Sequence, residues 1–156
     1  MNLMETIVNQ IKTLLQNNMS AKLTSLNTTY GDGIILRDIA HYYLSEKQEY
    51  PDFPSIIILG DSGETIIQTS DWLEANQNVV ISIVDVDSDE EVITKRIYRY
   101  IRAILEILWT DVSLNSTAWN IDLRRWDYYP LMRNKALDGI FAKEGQVEII
   151  VKTEEV

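Results

Sequence analysis

Five acidic side chains crowd one short stretch of this 156-residue chain: Asp85, Asp87, Asp89, Glu90 and Glu91. Alternating carboxylates open calcium-binding loops of the EF-hand type, where their oxygens replace the water shell of the ion. Such a loop also needs glycine at its sixth position and a bidentate glutamate at its twelfth. Glu90 and Arg96 stand there instead, so no metal is expected. Gly60-Asp61-Ser62-Gly63 looks like the surroundings of a serine nucleophile. A nucleophilic serine needs an oriented base beside it. The single histidine, His41, lies 21 residues earlier, and Glu64 stands where a further glycine belongs. The chain is also too short for the two barrels that hold such a serine, so a turn is expected. No glycine-rich phosphate loop, HExxH motif or paired-carboxylate signature occurs. The expectation is a protein with no catalytic residue, no cofactor and no metal, and not an enzyme.

The remaining chemistry is that of surfaces. Lys95, Arg99 and Arg102 fall on one stripe of a helix, with Glu106 four residues beyond Arg102 to form an intrahelical pair. That stripe is either a solvated face or a seam between subunits that meets the acidic run of a neighbour. Trp109, Trp119, Trp126, Tyr128 and Tyr129 are core candidates, with Tyr128 and Tyr129, before Pro130, alternatively a subunit contact, because aromatic residues concentrate in interfaces. Net charge is −10, and no Lys or Arg occurs from Gln48 to Thr94, a span with eleven acidic residues. Such a surface grips phosphate backbone poorly. Its acidity serves solubility, or it repels DNA, or it meets a basic partner.

These residues are positioned by a strand that feeds a helix. Val79-Val80-Ile81-Ser82-Ile83-Val84 is an apolar run suited to a buried strand. Val92, Ile93, Ile97, Ile101, Ile104, Leu105 and Leu108 then follow amphipathic helical spacing. Ser88 followed by Glu91 fits a capping box, so the helix should start near Ser88 or Asp89. A first amphipathic helix is expected from about Asn2 to Asn18, weakened by Asn17, Asn18 and Ser20. Gly31-Asp32-Gly33 reads as a turn, and 34–44 as either a short helix or extended chain. Ser55–Leu59 and Thr65–Thr69 read as a hairpin across Gly60–Glu64, and Asp71–Asn78 as a polar connection. Residues 118–127 alternate as a strand with Trp119, Ile121 and Leu123 on one face. Residues 137–142 and 146–153 read as a last hairpin across Lys143-Glu144-Gly145.

With 46% hydrophobic residues the chain should fold as one domain over residues 1–156. Residues 21–50 read as an extended insertion or arm, and 127–138 as an exposed loop. The element order predicts the α+β class: a mainly antiparallel β-sheet packed on one face by a long helix and an N-terminal helix. There is no cysteine, hence neither disulfide nor thiolate site, which suits a reducing compartment. No apolar run of about 18 residues and no basic-then-apolar N-terminal layout appears, so neither membrane span nor signal peptide is expected.

In layout the chain resembles the tail terminator (tail-completion) proteins of long-tailed bacteriophages and the related neck proteins. The stretches that carry this are FPSIIILGDSGETI (Phe53–Ile66), VVISIVDVDSDEEVITKRIYRYIRAILEIL (Val79–Leu108), WNIDLRRWDYYPL (Trp119–Leu131) and IFAKEGQVEIIVK (Ile140–Lys152). The resemblance implies a virion protein, assembled in the host cytoplasm, that closes into a hexameric ring. Such a ring caps the tail-tube protein and docks the head–tail connector or neck proteins. DNA would be only in transit, without sequence-specific binding, and no membrane would be involved. Asp85, Asp87, Asp89, Glu90 and Glu91 would then line the channel or face Lys95, Arg99 and Arg102 of a neighbour. Another head–tail joining protein, or a non-viral interaction module, is the alternative.

Overall fold

The computed structural model describes residues 3–46, 52–114, 117–118, 120–133 and 139–155. Asn2, residues 47–50, Trp119 and residues 134–138, to which the sequence assigned a helix start, the end of an arm, a strand face and parts of a loop and a hairpin, lie outside them. The order is α1 (Leu3–Tyr30), β1 (His41–Tyr43), β2 (Ser55–Gln68), β3 (Leu73–Asp87), α2 (Glu90–Thr110), β4 (Asn120–Tyr128), β5 (Met132–Arg133) and β6 (Phe141–Glu155). One sheet runs β1-β2-β3-β6-β4, with β5 also on β6. Every pairing is antiparallel except β1 with β2. The chain has the expected α+β fold, with both helices packed on the sheet.

Helix α1 is longer than the sequence suggested. Ile7, Ile11, Leu15, Met19, Leu23 and Leu26 continue one buried ladder well past Asn18. The polar residues that should weaken it instead turn back on it. Asn18 Nδ2 donates to the Leu14 carbonyl at 2.7 Å, and the Thr24, Thr28 and Thr29 hydroxyls each donate four residues back. Gly31 ends the helix with a left-handed φ of 55°, its N–H donating to the Asn27 carbonyl.

Residues 21–50 are therefore neither insertion nor arm at their helical start, and 34–40 form an extended strap tied to the core. The Asn27 side chain binds both backbone groups of Leu36. Tyr100, fully buried on α2, holds Arg37 in the same way: its hydroxyl accepts from the Arg37 N–H and donates to the Arg37 carbonyl, each at 3.0 Å. Burial pushes the Tyr100 hydroxyl pKa upward, so it stays a neutral donor.

Two expected hairpins are single long strands. Gly60–Glu64 lies inside β2, which pairs along its length with β3, so the turn falls at Thr69–Trp72 and Asp71–Asn78 is mostly strand. Lys143-Glu144-Gly145 lies inside β6, in register with Ile83, Val84 and Asp85. These glycines mark close approach of a helix rather than a turn. A Cβ on Gly60 would sit 2.5 Å from Met4 Cγ of α1, and one on Gly145 would sit 2.9 Å from Ile97 Cγ2 of α2. The expected exposed loop at 127–138 begins as the end of β4 and contains β5.

One hydrophobic cluster joins α1, α2, β2, β3, β4 and β6. On the opposite face of the sheet, Tyr43, Ile57 and Val84 gather with Phe53 and Leu59. The connection from β3 through α2 to β4 passes over β6, leaving β3 and β4 parallel to each other on either side of it.

Candidate functional site

The acidic stretch between β3 and α2 folds as a set of internal ties. Asp85 has no exposed side-chain surface. Its Oδ1 accepts from Arg37 Nη2 of the strap at 2.5 Å and from the Val86 N–H at 2.8 Å, while Arg96 Nη1 lies 3.9 Å from Oδ2. Burial pushes this carboxyl pKa upward, against the pull of the Val86 N–H and the two guanidinium groups. Asp87 binds Arg96 at 2.8 Å and accepts from the Asp89 N–H. Asp89, not Ser88, caps α2, accepting from the N–H groups of Glu91 and Val92. Glu91 pairs with Lys95 one turn on, and Glu90 is exposed in the first turn, where its charge complements the helix dipole. A channel rim needs exposed carboxylates; Asp85 is inward and Asp87 half-buried, whereas Asp89, Glu90 and Glu91 are exposed.

The basic stripe divides in a similar way. Lys95 is engaged with Glu91. Arg99 is buried, stacks on the Tyr30 ring with its guanidinium 3.9 Å from the centroid, and forms a two-pronged pair with Asp32. That pair, mainly through the Arg99 hydrogen bond, lowers the Asp32 pKa to about 2. Arg102 binds Glu106 at 2.8 Å and the Tyr30 hydroxyl at 3.1 Å, and Lys22 of α1 reaches the same Glu106 at 3.0 Å. The stripe thus binds α2 to α1 and to the turn behind it. Among the described residues, no group of three or more His, Asp or Glu side chains is arranged to hold a metal ion.

The surface that stands out was only half visible in the sequence. Leu123, Trp126 and Tyr128 of β4, with Tyr98 and Trp109 of α2, are large apolar side chains left 37% to 72% exposed. Tyr128 meets Tyr98 edge to face at 4.7 Å. Toward the far end of α2, a shallow apolar cleft is lined by Leu105, Leu108, Trp109, Ile121, Leu123 and Ile149. From Tyr98 to Trp109 the helix rises about 16 Å, which sets the length of the strip. Two features of the fold produce it. Two helices at the usual spacing cover about four strands, and β4 is the fifth across the sheet, so its helix-side face is only partly covered: Ile121 is buried, whereas Leu123, Trp126 and Tyr128 are left exposed. A bulge between Leu123 and Arg125 adds the second: Trp126 sits opposite Val147 and Tyr128 opposite Gly145, both on the helix side. Strict alternation would have turned Trp126 to the other face. Tyr129 lies beyond the strand, its hydroxyl donating to Gln146 Oε1 at 2.8 Å and its carbonyl accepting from Lys143 Nζ at 2.7 Å.

Both sheet edges add to this surface. β1 covers β2 only over Ser55–Ile57, and among the described residues no strand pairs with the outer side of β2 from there to Gln68. On the far side, β4 has β6 on one flank and no described strand on the other. Ile66 and Ile67 near the end of β2 are about half exposed.

No family model matches this sequence, and no curated protein matches it. A chain of the solved structure "Virion of native gene transfer agent (GTA) particle" is similar over 90% of this chain and 94% of that one, with a TM-score of 0.31 and 10% identity. A likeness of that degree carries no argument about what the chain does.

Proposed function

We propose that this chain is a structural, non-enzymatic virion subunit: a tail terminator that closes into a ring of six copies on the end of the tail tube. The observation that carries the assembly role is the bare apolar strip of Tyr98, Trp109, Leu123, Trp126 and Tyr128. Contiguous aromatic surface of this kind marks interaction sites in soluble proteins. Among the described residues most ion pairs join one segment of the chain to another, which leaves the strip and the sheet edges as the places where a partner gains most. The tail-terminator assignment, and with it the six-fold ring, rests on the resemblance of the element layout. DNA in transit suits a chain of net charge −10 with no Lys or Arg between Gln48 and Thr94, because such a surface repels phosphate.

The test is binding to tail tubes. Mixed with purified tail-tube polymers and imaged, the protein should sit at tube ends and stop their growth. Attachment to the portal or adaptor alone would make it a neck protein, and attachment to neither would reject the assignment.

A further inference from the structure

We propose that copies of this chain join by sheet extension, the β4 edge of one copy pairing antiparallel with the outer half of β2 of the next. This deepens the ring reading above and rests on it. The strand directions permit the join without a break. β2, β3, β6 and β4 alternate in direction, so a second copy's β2 laid against β4 continues the alternation. The lengths also match: β4 has nine residues, and the stretch of β2 from Gly60 to Gln68, exposed throughout, has the same number. Long unpaired edges carrying apolar side chains are normally blunted or covered, because they recruit further strands. Among the described residues this molecule has two.

Charge selects a second copy as the occupant. The outer β2–β3 end, from Gly60 to Asn78, carries Asp61, Glu64, Asp71 and Glu74 and no basic residue. Arg124 and Arg125, at the middle of β4, are its most exposed charged side chains, at 54% and 58%. Each has an acidic neighbour within its own copy, Glu148 at 3.8 Å and Asp127 at 2.9 Å, in open solvent where such pairs contribute little. Setting Glu64 opposite Arg125 of the adjoining copy joins unlike charges across the strands. Within one copy Leu59 is in line with Arg125 across the sheet, so this register slides each copy four ladder steps along its neighbour, Leu59 to Glu64 being five residues of which one lies in the bulge between Gly60 and Ser62. Stagger of that kind tilts strands, as closed sheets require. It also follows from β1, which already occupies Ser55–Ile57.

The absence of native cysteine makes the seam directly testable. Glu64→Cys and Arg125→Cys in one chain stand on opposite edges of the sheet, three strand spacings or about 14 Å apart at least, too far for an intrachain disulfide. Mild oxidation of the assembled protein should give a ladder of disulfide-linked multimers, and Gln68→Cys with Arg125→Cys, four residues out of register, should not. As a second measurement, Glu64→Arg should weaken self-association tenfold or more, and adding Arg125→Glu to that variant should restore it. Rings that form without the ladder and tolerate the charge reversal would overturn the seam but not the ring. A chain that stays monomeric at every concentration tested would overturn both.

Discussion

Asp32 shows how a charged residue read as part of a flexible turn becomes a structural anchor. Its partner Arg99 is buried on α2, and the pair closes the path from α1 into the strap. The carboxyl pKa falls from its ordinary 3.8 to about 2, chiefly through the Arg99 hydrogen bond. A lowered carboxylate pKa means that the unfolded chain binds the proton more readily. The contribution of Asp32 is therefore present above pH 3.8 and lost as pH falls through about 2. Thermal melting of wild type and Asp32→Asn should show wild type more stable at neutral pH, with the difference shrinking across that window. A difference that stays constant down to the lower limit would show that the pair does not act as described. Sequence gave the charges of Asp32, Arg99 and Asp85 but not their partners. Asp32 and Arg99 lie 67 residues apart, and Arg37 and Asp85 lie 48 apart, so only the folded chain brings them together.

At the scale of elements, the glycines separate what periodicity can and cannot read. The α2 pattern was legible because its apolar spacing runs unbroken, and its start was legible to within a residue, with Asp89 rather than Ser88 as the cap. Gly60 and Gly145 were misread because a glycine next to polar residues signals a turn in sequence, whereas here it makes room for a helix crossing the sheet. Gly145→Ala should therefore destabilise the protein by about 1–3 kcal/mol through overpacking. The added methyl would lie 2.9 Å from Ile97 Cγ2 and 3.0 Å from Ile101 Cδ1. Ile101→Val, which removes that Cδ1, should return part of the loss in urea unfolding. A neutral Gly145→Ala would mean that α2 does not press on β6 there. The aromatic strip was half legible for a related reason. Tyr128 was marked as a contact residue, but the bulge that brings Trp126 to the same face leaves no signature in an alternating pattern.

The whole molecule is a closed network on one side and an open surface on the other. The α1 side is held by Lys22–Glu106, Arg99–Asp32 and Arg37–Asp85, which fasten helix, strap and strand to one another. The β4 side carries the bare aromatic strip, and the two sheet edges stand unpaired among the described residues. An α+β sheet with its helices on one face was legible from element order. Which side stays open was not, because it depends on two helices being too narrow for the full width of the sheet. The central claim is that the open surface is satisfied by further copies of this chain in a closed ring. The most direct test is the mass of the assembled particle, measured by native mass spectrometry with imaging of the same sample. One species of six copies, each of 18.0 kDa, with a central hole is expected. A monomer at all concentrations, or open filaments without a fixed copy number, would contradict it.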